Sequence, residues 1–148
     1  MFNNASASQR REKEEVSSIN TDDDFSFKYT ESGGLTARYL LISFDSKTNN
    51  LTTSSDISGS NISQRPLSDT DKMDLKNTIT ETEFFKTKTD YPPEKEDDPT
   101  LVAYSLAITM GGDKTHTTAW TNTSKEMPDG IAKIADAIIR ITAKEKVV

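Results

Sequence analysis

The sequence predicts an α+β domain, an antiparallel sheet of four to five strands with two helices packed on one face, in the order β-β-(β)-α-β-β-α. Three observations predict it. Phe25–Tyr29 and Val102–Met110 alternate apolar and polar residues with a period of two, as half-buried strands do. Ile131, Ile134, Ala135, Ile138, Ile141 and Thr142 recur at three- and four-residue spacing, the period of an amphipathic helix. Glycine pairs at 33–34 and 111–112 stand between strand-like segments, where tight turns between antiparallel neighbours need positive φ.

Taken in order, residues 1–24 are polar and charged, with Met1, Phe2, Val16 and Ile19 as the larger apolar residues. Four such residues do not offset the entropy of ordering the segment, so a disordered arm is expected. The domain proper is expected over residues 25–145. Its first strand holds Phe25, Phe27 and Tyr29 on one face, and Gly33-Gly34 turns it back. The run from Leu35 to Ser46 reads as a long second strand with Leu40, Ile42 and Phe44 in phase. Asn49-Asn50 suits a second turn, because asparagine tolerates the left-handed region, and a short third strand from Leu51 follows. Residues 52–64 are rich in Ser, Thr, Asn and Gly and read as a polar loop.

The period then changes. Ser68 stands three residues before Asp71, a weakened capping box, and Leu75 and Ile79 follow at i, i+4 with Met73 nearby, so a helix is predicted from Asp69 to Glu83. Phe84-Phe85 closes it with at least one ring anchored in the core. Three prolines and a charge run forbid regular structure over residues 86–99. Val102, Tyr104, Leu106, Ile108 and Met110 make the best candidate for a central strand. Gly111-Gly112-Asp113 turns into the Thr-rich strand ending at Trp120, and Pro128 marks the start of the last helix.

Composition narrows the function. The 148 residues carry a net charge of −6, which disfavours nucleic acid, whose binding replaces counterions with Lys and Arg, and equally disfavours an anionic membrane. No cysteine is present, which excludes disulfides, thiolate metal sites and a cysteine nucleophile. No apolar run approaches the roughly 20 residues that span a bilayer, and no apolar stretch follows the basic residues near Met1, so a cytoplasmic protein is expected. His116 is the single histidine, on one strand face with Lys114, Thr118 and Trp120, and no metal-ligand spacing surrounds it. The acidic groups at 22–24, 69–74 and 94–98 lie in polar loops or at a helix start, where acids are solvated or complement the helix dipole. Neither glycine pair precedes a Lys-Ser/Thr or opens a helix, so no phosphate cradle is expected. Catalysis, a metal and a cofactor are all without a foothold, and a non-catalytic protein-binding role is expected.

Several stretches together carry a resemblance. They are Glu31-Ser32-Gly33-Gly34-Leu35, the strand opening out of it, the helix ending in Phe84-Phe85, the Tyr104-x-Leu106-x-Ile108 strand, the glycine turn into His116-Thr117, and Pro128-x-Gly130-Ile131. In this order, over roughly Phe25 to Ile141, the chain resembles the emfourin family, small bacterial inhibitors of thermolysin-like zinc metalloproteases such as protealysin. The long segment before the first helix, the Tyr91–Pro99 loop and the N-terminal arm depart from a compact inhibitor. The resemblance implies a proteinaceous inhibitor that presents the Glu31–Leu35 turn, with Gly111 and Gly112 of a neighbouring turn, to a protease cleft. In that reading a backbone carbonyl or the Glu31 carboxylate approaches the protease's metal. The alternative is a general interaction module that meets another protein through the polar sheet face or the acidic loops.

Overall fold

A computed structural model describes residues 24–143, apart from 57, 59, 60 and 112. The arm expected over residues 1–24 therefore lies outside the described residues except for Asp24, as do Gly112 and the last two residues of the expected domain. The elements are β1 (Phe25–Gly33), β2 (Arg38–Asp45), β3 (Asn50–Ser54), β4 (Ile62–Pro66), α1 (Asp69–Glu81), a 3₁₀ turn (Phe84–Lys86), β5 (Val102–Met110), β6 (Lys114–Thr121) and α2 (Asp129–Ala143). They form an α+β fold, with one open antiparallel sheet in the order β4-β3-β2-β1-β5-β6.

Register explains the core. Phe27 lies opposite Phe44 and Ile108, and Tyr29 opposite Ile42 and Leu106, so the apolar residues of three strands share one face. Leu75 and Ile79 of α1 and Ile131, Ile134, Ile138 and Ile141 of α2 complete that core. Burying each such side chain contributes about 1.5–3 kcal/mol. Residues of α1's first turns line a groove with Ile141, while Thr82 lies near Lys133, so the two helices run antiparallel. Ser26, Lys28, Thr30, Ser105, Ala107, Thr115 and Thr117 fall on the opposite face, in the alternate phase.

The sheet has six strands, one more than the upper expectation. Thr52–Ser54 complete β3 and Ile62–Gln64 open β4, so much of the expected loop at 52–64 is paired backbone. An edge strand that buries little needs no apolar alternation. This one is held by its pairing with β3 and by Arg65, whose guanidinium donates to the Ile141 carbonyl. Residues 35–37, expected to begin the second strand, belong to the turn instead.

Other expectations stand with small shifts. Ser68 Oγ accepts from the Asp71 N–H at 3.1 Å and caps α1, which ends two residues early at Glu81. Met73 faces solvent, and Phe84 is the ring that anchors. Asn49 takes the left-handed conformation, φ 52°. Residues 87–101 hold no helix or strand, but Thr87–Tyr91 lie along the outer edge of β6. The Ala119 N–H donates to Thr89 O at 3.0 Å, the Tyr91 N–H to Ala119 O at 2.8 Å, and Thr118 Oγ1 to Lys88 O at 2.6 Å.

Candidate functional site

The Glu31–Leu35 stretch ends β1 and enters a four-residue turn, Gly34–Ala37, that leads into β2. Gly33 and Gly34 have φ of +106° and +81°, a region that L side chains avoid. A Cβ on Gly33 would sit 2.8 Å from the Leu101 carbonyl oxygen, so the backbones touch there because no side chain intervenes. The Gly34 N–H donates to that same oxygen at 2.7 Å, and the Ala37 N–H closes the turn on Gly34 O at 3.1 Å.

Leu101 is itself held. Its N–H donates to Asp98 O at 3.2 Å, and Asp98 Oδ1 accepts from the Thr100 N–H and hydroxyl at 2.8 and 2.6 Å. Those two bonds hold the Asp98 carboxyl below its ordinary range. From the other side, Asn122 Oδ1 accepts from the Val102 N–H at 3.1 Å while Asn122 Nδ2 donates to Thr100 O at 3.2 Å. The result is a turn fixed at its base by two strands and a loop. At its tip Leu35 is 78% exposed, the most exposed large apolar side chain among the described residues.

Glu31 has a different place from the one expected. Its side chain is 11% exposed and turned onto the core face, in phase with Phe25, Phe27 and Tyr29. Oε2 accepts from the Tyr29 hydroxyl at 2.6 Å, and Oε1 lies 3.8 Å from Arg38 Nε. Burial first, and then this bond to a carboxylate, pushes the Tyr29 phenol far above its ordinary range. Arg38 also reaches the Tyr104 hydroxyl at 3.5 Å, and Tyr104 stacks on Trp120 with centroids 5.5 Å apart. The expectation that Glu31 reaches out to a partner's metal is thus corrected: the carboxylate is spent inside, bracing the base of the turn. Ser32, between them, is exposed on the opposite sheet face.

The second correction concerns Gly111. Gly33 pairs with Val102 at the start of β5, whereas Gly111 follows the other end of β5 and donates its N–H to Asp24 O at 2.9 Å. Eight residues of strand separate the two turns, roughly 26 Å. They are not neighbours, because β1 and β5 are antiparallel and their hairpins leave from opposite ends. Gly112 lies outside the described residues.

Tyr29, Arg38, Leu101 and Asn122, which brace the turn, were not singled out by sequence. The one signal available was phase, since Glu31 continues the Phe25-Phe27-Tyr29 alternation into the core. His116 is half-buried, with Nε2 3.1 Å from the Thr87 hydroxyl and its ring edge-on to Phe84. Among the described residues no group of three His, Asp or Glu side chains is placed to hold a metal ion, and no helix is long and apolar enough to cross a membrane. No protein-family model matches the chain, and no curated protein matches it either.

Proposed function

We propose that this chain is a non-catalytic, cytoplasmic binding protein that docks on a protein partner through the Gly34–Ala37 turn, with Leu35 as the anchor. The observation that carries the reading is a large apolar side chain held in water at the tip of a turn whose backbone is pinned to Leu101. An exposed leucine on a pre-ordered turn loses little entropy on docking, and an apolar side chain filling a pocket is the usual form of a binding hot spot. Within that class, the partner we propose is a thermolysin-like zinc metalloprotease, whose cleft the turn would block. The Glu31–Leu35 resemblance supports that choice of target.

The test is a titration of thermolysin-like proteases with the purified full chain and with Leu35→Asp. The proposal expects inhibition at micromolar protein or below by the unaltered chain and loss of it in the variant. Full protease activity throughout a panel would remove the protease reading. Recovery of a non-protease partner whose binding ignores Leu35→Asp would replace the docking surface itself and favour the general interaction module.

A further inference from the structure

The chain enters the domain at the mouth of a groove. Asp24 O accepts from the Gly111 N–H, and the Phe25 N–H donates to Ser46 Oγ at 2.9 Å, so β1 begins tied to two turns at one end of the sheet. Between that end and α1 lies an open groove of about 920 Å³. Asp24, Phe25 and Lys47 line it from the sheet, and Lys72, Met73 and Lys76 line it from α1. With Asp69, the α1 residues follow the i, i+3, i+4, i+7 spacing of one helix face, distinct from the core stripe of Leu75 and Ile79. Met73 is 64% exposed on that second face. Three lysines thus flank a bare methionine in a chain whose net charge is −6. Two carboxylates share the groove, Asp24 and Asp69, and Asp69 lies 3.2 Å from Lys72 Nζ.

From this we infer that the groove is the docking site of residues 16–23 of this same chain, with Ile19 against Met73 and with Asp22 and Asp23 among the lysines. The inference is independent of the Leu35 docking proposal. Attachment, length and sequence select this occupant. Residue 23 is joined to a residue that lines the groove, so the segment is held there at an effective concentration in the millimolar range. Ile19 is five residues from Asp24, a reach of at most about 17 Å, while the stripe from Asp69 to Lys76 is about 11 Å long. The segment can therefore run beside the whole stripe. Its sequence, VSSINTDD, places apolar residues at one end and two acids at the other. The acids lower their energy beside Lys47, Lys72 and Lys76, and an isoleucine covers surface that Met73 exposes to water. Residues 1–24 are too poor in apolar side chains to order by themselves, but here the domain supplies the other half of each contact. Exposed ion pairs and one or two apolar contacts give a weak docking, in which bound and free forms exchange.

The chain has no cysteine, so Ser17→Cys provides a single attachment point for a nitroxide label, whose NMR line broadening reports the placement. In dilute full-length protein at low salt, the Met73 methyl and the Lys72 and Lys76 amides should broaden strongly. Leu35, at the far end of β1, should not. Salt at about 1 M, where the screening length is about 3 Å, should weaken the broadening. Ile19→Asp and Met73→Asp should each lower the docked population about tenfold, and Lys47→Glu with Lys76→Glu should lower it several-fold. Thermal melts show whether the groove variants remain folded, and Ile19→Asp, outside the domain, still tests the anchor should one of them unfold. Broadening no stronger at Met73 than at Leu35 overturns the proposal. So does broadening that survives both Ile19→Asp and the lysine reversals. Broadening of an isotope-labelled chain by a nitroxide on a separate chain overturns it too, because a second copy would then be the occupant.

Discussion

The turn after β1 and the turn after β5 both contain a left-handed glycine, and both join antiparallel strands of one sheet. At Gly33-Gly34 the backbone lies against the Leu101 carbonyl, a buried Tyr29–Glu31 bond with the exposed Arg38 beside it braces the base, and a leucine stands at the tip. At Gly111, φ is +67° and a Cβ would meet nothing within 4 Å. The same residue type thus does two jobs. One glycine admits a backbone contact that fixes a shape, while the other only lets the chain turn. A glycine pair in a sequence identifies a turn but does not say which kind.

Substitutions should separate the two. The largest effect is expected for Gly33→Ala, which adds a side chain 2.8 Å from a backbone oxygen at a φ that alanine avoids. Strain plus displacement of Leu101 should cost about 2–4 kcal/mol, read as a shift in the urea midpoint at unchanged slope. A smaller loss, about 1–3 kcal/mol, is expected for Tyr29→Phe, which leaves a buried Glu31 oxygen without its donor.

That second variant also has a signature in pH. The folded phenol titrates above the unfolded one, so below about pH 10 both states keep the proton and this group adds no pH dependence. Above it the unfolded chain releases a proton that the folded chain retains, and stability falls by about 1.4 kcal/mol per pH unit. The alkaline slope should therefore be shallower in Tyr29→Phe than in the unaltered chain, and equal slopes would contradict the buried bond. Gly111→Ala should cost the least of the three, about 1 kcal/mol, because only the left-handed conformation opposes it.

Much of the fold was legible because alternation and helical spacing report burial directly. Phe25-Phe27-Tyr29, Val102 to Met110 and the isoleucines of α2 each showed a face. β4 was not legible, because Ile62-Ser-Gln-Arg-Pro66 pairs through its backbone and buries little, so its sequence reads as loop. The site was half legible. The turn was found from Gly33-Gly34, yet the pairing of β1 with β5 crosses about 75 residues of chain, and only that register separates Gly33 from Gly111. Glu31 was misplaced for a simpler reason: a charged residue at a turn reads as exposed unless its phase with Tyr29 is weighed more heavily than its charge.

The central claim is that Leu35, on a braced turn, is what a partner holds. Calorimetric titration of an inhibited thermolysin-like protease with the unaltered chain, Gly111→Ala and Leu35→Ser tests it most directly. The first two should bind alike and Leu35→Ser should lose at least about tenfold in affinity while melting as the unaltered chain does. Undiminished binding by Leu35→Ser, or a larger loss in Gly111→Ala, would contradict it.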